Sequence, residues 1–417
     1  MGHERTEDFD AIVVGGGPAG AMAAGTLAMR GHRVALLEKE ATPGYRVGES
    51  LIPYCWYPLE RVGALEAIEG AGFTHKHSVQ FVSGEGRVTR PFYFSDHHDH
   101  PSSRTWQVER VTFDRVLRSV AEDHGAELRM GWAAKALLEA EGTVTGVQAT
   151  DPEGRAVSLN AKVVLDASGR DGFVMRQRGW RCAEPRLNRI AIWTYVTGAL
   201  RDGGRDEGAT TIARIPSGGW FWLLPMSDDR LSIGVVERAD ALLDGGNDLE
   251  AAFNRAVTTN PWVAERLAPS ERIAQFRATR NYSYRSTHSA ADGVLLCGDA
   301  FHFLDPVFSS GIFFALVTGE RAALAADSLL SGSDTGPAPL DAYAAWLRQT
   351  IEPLRQLVFA FYDRGFSFGD LVRGEPSLHG DLTDCLIGHT ERDFSHLIAA
   401  MGALAELPEP ATSGGVA

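Results

Sequence analysis

The strongest constraint on this chain is a cluster of glycines closing its first apolar segment. Asp10-Ala-Ile-Val-Val14 runs into Gly15-Gly-Gly17-Pro-Ala-Gly20, then into small apolar residues up to Met29, and then into Arg33-Val-Ala-Leu-Leu-Glu38. Apolar runs of this length bounded by turn residues read as buried strands, and Pro18 opening a segment stopped by Gly31 reads as a helix. The first 38 residues are therefore expected to form one β-α-β unit. In such a unit Gly15 makes the turn, Gly17 lets backbone approach a pyrophosphate, Gly20 allows close packing of helix on sheet, and Ala19, in the same loop, is a candidate cofactor contact. The helix N-terminus supplies N–H groups and a positive dipole end. Glu38, at the end of the second strand, is placed to accept ribose hydroxyls, with Lys39 beside it. The spacing predicts a dinucleotide site.

Composition narrows the partners. Forty Lys and Arg against 54 Asp and Glu leave a net charge of −14, which argues against non-specific nucleic-acid binding. The four cysteines, Cys55, Cys182, Cys297 and Cys385, form no CxxC pair, so neither a disulfide framework nor a zinc site is expected, and a reducing cytoplasm is the default compartment. The longest uncharged stretch, Ala11 to Met29, holds five glycines and a proline and reads as strand, turn and helix instead of a membrane span. The N-terminus lacks the apolar core of a signal peptide, though Met1-Gly2 with Thr6 fits the loose myristoylation pattern. His97-His-Asp-His100 is too contiguous to converge on one ion and reads as a loop.

Further along, Val111 to His124 has helical periodicity, and Leu128 to Asp151 reads as short strands with turns at Gly142 and Gly146. The chain returns to the first sheet at Ala161-Lys-Val-Val-Leu-Asp-Ala-Ser-Gly169 and again at Gly293-Val-Leu-Leu-Cys-Gly-Asp-Ala300. Asp299, on the turn after a core strand, suits the ribityl hydroxyls of a flavin. Ile190–Gly198 and Thr210–Glu237 alternate as antiparallel sheet does. A helix is expected from about Gly311 to Leu330, a linker over Ser331–Pro339, and mostly helix after it.

The motifs Gly15–Gly20, Asp166-Ala-Ser-Gly169 and Gly298-Asp-Ala300 resemble the FAD-binding core of the p-hydroxybenzoate-hydroxylase-like flavoproteins. The resemblance implies an α/β fold: a Rossmann-like FAD-binding domain, an antiparallel β-sheet substrate domain and a C-terminal helical segment. The expected boundaries are 1–72, 106–185 and 282–335 for the FAD domain and 73–105 with 186–281 for the substrate domain. The helices take 336–407, and 408–417 is a disordered tail. By the same resemblance Arg46 and Ser50, in Tyr45-Arg-Val-Gly-Glu-Ser50, and Gln107 and Arg110 look like cofactor contacts.

Three stretches point to one branch. Gly219-Trp-Phe-Trp-Leu-Leu-Pro225 is similar to the Trp-x-Trp-x-Ile-Pro signature of flavin-dependent halogenases. Asp305-Pro-Val-Phe-Ser-Ser-Gly311, followed by Ile312, resembles their loop over the flavin ring, and Pro306, Gly311 and Ile312 would touch the cofactor. Lys76 falls where those enzymes carry a catalytic lysine. Phe308 stands where tryptophan halogenases have a glutamate, as in halogenases of phenols and pyrroles. The resemblance implies that FADH2, O2 and chloride or bromide give hypohalous acid. The backbone N–H groups of Ser310 and Gly311 would hold the halide, and Lys76 would activate the acid. Trp220 and Trp222 would separate substrate from flavin. A separate NADH-dependent flavin reductase and an aromatic substrate, free or on an acyl-carrier protein, are the implied partners. Arg348, Arg355, Arg364 and Arg373 are candidates for a basic docking patch. The oligomeric state is left open. Plainer readings stay open as well: Lys76 as a surface lysine, the Trp pair as packing, and Ser309-Ser-Gly311 as a helix cap. An aromatic monooxygenase and a geranylgeranyl-reductase-like C=C reductase share the same core motifs.

Overall fold

The computed structural model describes residues 6–42, 44–244, 246–332, 338–410 and 415–417. The first five residues, and so most of the myristoylation pattern, lie outside them, as does most of the expected linker.

The β-α-β unit comprises the strand Thr6–Val14, the helix Pro18–Met29 and the strand Val34–Glu38. The strand Ala156–Asp166 joins Thr6–Val14 in parallel, with Val13 opposite Leu165, and Val34–Glu38 flanks its other side, with Val13 opposite Leu36. Val294–Leu296 and Glu127–Met130 extend this parallel core outward on either side. These central strands are almost continuously apolar because helices cover the sheet. The helix Ser310–Leu330 packs on Pro18–Met29 across small residues: a Cβ on Gly319 would fall 2.3 Å from the carbonyl oxygen of Ala19.

Gly146 is not a turn. It sits inside the strand Thr143–Thr150, where a Cβ would lie 2.1 Å from the Leu159 oxygen, and the hairpin turns at Gly142 instead. Close strand approach, not reversal of the chain, explains this glycine.

The second sheet runs Glu271–Arg272, Ile190–Thr197, Arg230–Glu237, Trp220–Pro225, Thr210–Arg214, Ser78–Val82, Phe92–Tyr93. It departs from the expected antiparallel pattern at one junction. Ser78–Val82 and Thr210–Arg214 pair in parallel, with Gln80 opposite Thr211, because the chain passes through the first domain between them. A two-stranded ribbon, Thr74–Lys76 with Thr105–Gln107, lies where the two sheets meet.

Helices Ala338–Tyr362, Phe368–Gly374, Leu378–Ile387 and Ser395–Gly402 complete the chain. The tail is not loose in its described parts. Gly415–Val416 pairs with His288–Ala291, and the carbonyls of Pro408 and Glu409 accept hydrogen bonds from Gln356 and Arg355. Buried donors on the long helix need acceptors, and the tail supplies them. Among the described residues no helix is long and apolar enough to cross a membrane, and no cluster of three His, Cys, Asp or Glu is placed to hold a metal.

Candidate active site

The glycine loop, the second sheet and the start of the helix Ser310–Leu330 enclose a cavity of about 1180 Å³. Gly15 has φ +107°, and a Cβ there would lie 2.4 Å from the Ala167 oxygen, so only glycine fits. Gly20 faces inward against the Gly15 carbonyl and does not reach the cavity. A Cβ on Gly17 would meet nothing within 4 Å: its free space opens onto the cavity.

Ala19, Glu38, Lys39 and Arg46 line the same space. Glu38 is oriented by two backbone donors, Gly16 N at 2.9 Å and Glu40 N at 2.9 Å, which leaves its remaining lone pairs for a ligand hydroxyl. Lys39 pairs with Asp171 at the rim, and Arg46 lies exposed beside Glu40. Arg110 is clamped by both oxygens of Asp114, at 2.9 and 3.0 Å, and donates to the Val47 carbonyl at 2.7 Å. Asp299 lines the cavity; its backbone carbonyl accepts from the Tyr284 hydroxyl at 2.7 Å, while its carboxylate has no hydrogen bond among the described residues. Burial pushes its carboxyl up to about 6, against the pull of Arg110 and Arg170. A carboxylate without a protein partner, an open Gly17 and a helix N-terminus together fit the pyrophosphate and polyol of FAD.

Pro306, Ser310, Gly311 and Ile312 form the opposite wall. No side chain caps the helix they open, and Ser309 itself sits at φ +54° in the left-handed region. The plain cap reading of Ser309-Ser-Gly311 therefore fails. Leaving the first N–H groups uncapped keeps them available to an anion. A Cβ on Gly311 would also meet only open space.

Trp220 and Trp222 lie on one face of their strand, buried, and both line the cavity. Their ring centroids are 6.1 Å apart. Trp220 Nε1 donates to the Tyr362 hydroxyl at 2.9 Å, and Trp222 Nε1 to Ser232 Oγ at 3.3 Å. Gly234, directly opposite Trp222, makes room for the indole: a Cβ there would lie 2.2 Å from the ring.

Lys76 is not at the surface. The chain has four lysines, Lys39, Lys76, Lys135 and Lys162, and Lys76 alone is fully buried. Its amine donates to Ser50 Oγ and to the Leu51 carbonyl, both at 2.9 Å, and faces the Phe94 ring at 5.6 Å. Burial pulls the ammonium down to about 7, with the Cys55 thiol opposing. Lys76 does not line the large cavity, and neither does Gln107. Both stand one residue behind its wall, which Ser50 and Thr210 form at this point.

Several residues of the site escaped sequence reading. Glu49, between Gly48 and Ser50, is buried and accepts hydrogen bonds from Tyr195 and, at 2.7 Å, from Ser232. Burial pushes its carboxyl above the ordinary range. Asp305 accepts from Tyr362 at 2.9 Å and from Val307 N at 3.0 Å, and burial pushes it up to about 7. Glu49 and Asp305 both sit inside the motifs Tyr45–Ser50 and Asp305–Gly311, and for Asp305 its apolar neighbours Leu304 and Pro306 are the available signal. Thr210 carries none, and Tyr362 is marked only by its place in the aromatic run Phe359–Phe366. Of the arginines considered for docking, Arg355 is buried and tied to Glu184 and Glu352, so it is no surface residue.

Comparison with known proteins gives the family. The FAD binding domain family matches residues 8–345. The 1H-pyrrole-2-carbonyl peptidyl-carrier-protein brominase of Pseudoalteromonas luteoviolacea is 30% identical over 92% of this chain and 92% of its own. The corresponding chlorinase of Pseudomonas fluorescens is 28% identical over 91% and 89%. Among solved structures, the flavin-dependent brominase Bmp2 superposes with a TM-score of 0.85 at 27% identity, covering 95% of this chain and 98% of that one. The myxobacterial chondrochloren halogenase CndH gives 0.81 at 28% identity, covering 98% and 100%. The family model spanning most of the chain and the relatives matched over nearly their full length show that this chain belongs to the flavin-dependent halogenases, FAD-dependent oxidoreductases of the FAD binding domain family.

Proposed function

We propose that the protein halogenates an electron-rich aromatic ring, a pyrrole or a phenol, through hypohalous acid formed in the large cavity and handled by Lys76. Relatives of full length are named for a pyrrole held on a peptidyl-carrier protein, which supports a carrier-bound pyrrole as the first substrate to try. FAD, reduced by a separate NADH-dependent reductase, would supply the reducing equivalents that let O2 oxidise chloride or bromide.

The chain's own residues do the rest. Gly15, Gly17 and the helix N-terminus hold the pyrophosphate, Glu38 the ribose and Asp299 the ribityl chain. Arg46, Lys39 and Arg110 add positive charge at the rim and wall. The uncapped N–H groups of Ser310 and Gly311 hold the halide. Trp220 and Trp222 fill the space against the second sheet, so an aromatic substrate cannot stack there. The oxidant then has to reach a group outside the cavity.

The observation that carries this reading is a fully buried lysine directly behind the hydroxyl pair, Ser50 and Thr210, that forms the cavity wall there. A buried amine titrating near neutrality can hydrogen-bond hypohalous acid as the cation or react with it as the free base. The test supplies the protein with a flavin reductase, NADH, O2 and bromide or chloride, and offers carrier-bound pyrrole-2-carboxylate and simple phenols. Mass spectrometry should find halogenated product. Lys76→Ala should abolish it while reduced flavin is still consumed. Oxygenated product without halogen would instead favour an aromatic monooxygenase.

A further inference from the structure

Lys76 raises a question of proton traffic. It has no exposed surface, and an ammonium carries three N–H donors where, among the described residues, two acceptors take its hydrogen bonds, Ser50 Oγ and the Leu51 carbonyl. The neutral amine would satisfy both acceptors with its two N–H groups and keep its lone pair free. To change between these states the amine has to exchange a proton through something. The Leu51 carbonyl cannot relay one. The Cys55 thiol faces the amine but is itself fully buried and pushed up to about 12, so it keeps its own proton. Phe94 offers only a ring face. Glu49, next to Ser50 in sequence, has its carboxyl engaged by Tyr195 and Ser232.

One polar path is left. Ser50 Oγ lies 2.9 Å from Thr210 Oγ1, and both residues line the large cavity while Lys76 does not. Gln107 Nε2 donates to Thr210 Oγ1 at 2.9 Å and to the Gly208 carbonyl at 3.0 Å, which fixes the threonine from behind. Three separate extended segments meet here: Ser50 bridges Gln107, and Gln107 belongs to the ribbon strand that pairs with Lys76's own. The two hydroxyls have two protons between them. One makes the Ser50–Thr210 hydrogen bond, and the other is left over to face the cavity.

We propose that Ser50 and Thr210 are a two-hydroxyl relay joining the cavity to the Lys76 amine, with Gln107 as its positioning residue. In one passage an N–H bond of Lys76 breaks as Ser50 Oγ gains that proton. Ser50 gives its own proton to Thr210, and Thr210 gives its own to a water in the cavity. Three bonds break, three form, nothing is oxidised, and one positive charge moves from the ammonium to hydronium. The reverse passage restores the cation. Lys76 can thus change protonation state while sealed from bulk solvent. Thr210 also holds Ser50 with its lone pair toward Lys76, which favours the ammonium as donor. The relay rests on the role proposed for Lys76 above.

The test uses the FAD-loaded protein labelled with 13C at the lysine ε carbons. Four lysines give four signals, and Lys76→Met identifies the buried one. In Thr210→Val, Ser50 is free to turn and donate to the amine, so the Lys76 midpoint should fall by about half a pH unit. Thr210→Ser should restore it. In parallel, bromination of phenol is measured with bromide, O2 and reduced flavin, in excess methionine, which destroys hypobromous acid free in solution. Thr210→Val should lower this protected bromination at least about tenfold, roughly 1.4 kcal/mol, and Thr210→Ser should recover it. If Thr210→Val does not fold, Ser50→Ala should lower the same midpoint. A Thr210→Val protein with wild-type midpoint and wild-type protected bromination overturns the relay. If the wild-type protein brominates nothing even without methionine, the halogenase reading falls, and the relay is then decided by the midpoint alone: a fall supports it, no change overturns it.

Discussion

Lys76 costs the folded chain stability, and the sign of that cost can be worked out. The side chain titrates at 10.5 when unfolded and near 7 when buried. Between those values the unfolded chain binds the extra proton, so stability rises with pH across that window. Below pH 7 the buried cation imposes its full cost. Lys76→Met should therefore raise the unfolding free energy at pH 6 by about 2 kcal/mol once the two lost hydrogen bonds are allowed for, read as a higher urea midpoint. The gain should shrink as pH is raised toward 10. A substitution that stabilises while removing activity is what a residue kept for function, against stability, predicts. At this scale the sequence was readable wherever a residue acts through its neighbours in the chain. Gly15, Gly17, Gly20 and Glu38 declare themselves by spacing. Thr210 meets Ser50 and Gln107, both far away in the chain, only once the chain is folded, and nothing local to Gly208-Ala-Thr210 marks it.

Elements are tied together around one carboxyl. The long helix Ala338–Tyr362 ends on a tyrosine whose hydroxyl donates to Asp305 and accepts from Trp220. The long helix, the Asp305–Ser310 loop and the Trp220–Pro225 strand thus share a single side chain. Asp305 is held at about 7 against an ordinary 3.8, so the folded chain binds the extra proton between those values, and its contribution to stability falls as pH rises from about 4 to 7. Tyr362→Phe removes a donor that matters most to the ionised acid. Its cost should be about 2 kcal/mol at pH 8 and nearer 1 at pH 5, read from unfolding midpoints at the two values. The elements themselves were mostly legible from apolar runs and turn residues. The exceptions are instructive: Gly146 was taken for a turn because a glycine that makes room for a neighbouring strand looks the same in sequence. The parallel junction of Ser78–Val82 with Thr210–Arg214 was missed because alternation gives a strand's faces and not its direction.

On the scale of the whole molecule, the tail is the part where sequence was least informative. Pro408 to Ala417 has the composition of a disordered end, yet its described residues close two gaps. Arg355 is buried and bonded to Glu184 and Glu352, and it also donates to the Glu409 carbonyl at 3.2 Å. Gln356 donates to the Pro408 carbonyl at 3.1 Å, and Ala417 N donates to the Ala290 carbonyl at 2.9 Å on the edge of the first sheet. The segment therefore joins the last helices to the FAD-domain sheet, and it does so with carbonyls and amides that any sequence carries. Backbone groups leave no compositional trace, which is why the reading failed there. Truncation after Leu407 removes these three hydrogen bonds and reopens one sheet edge. At about 1 kcal/mol per bond, the loss should come to about 3 kcal/mol. Urea unfolding should show it as a lower midpoint. The FAD cradle touches none of the deleted residues, so cofactor affinity below the transition should stay at the full-length value, and a loss of affinity there would mean that the tail supports the site as well as the fold.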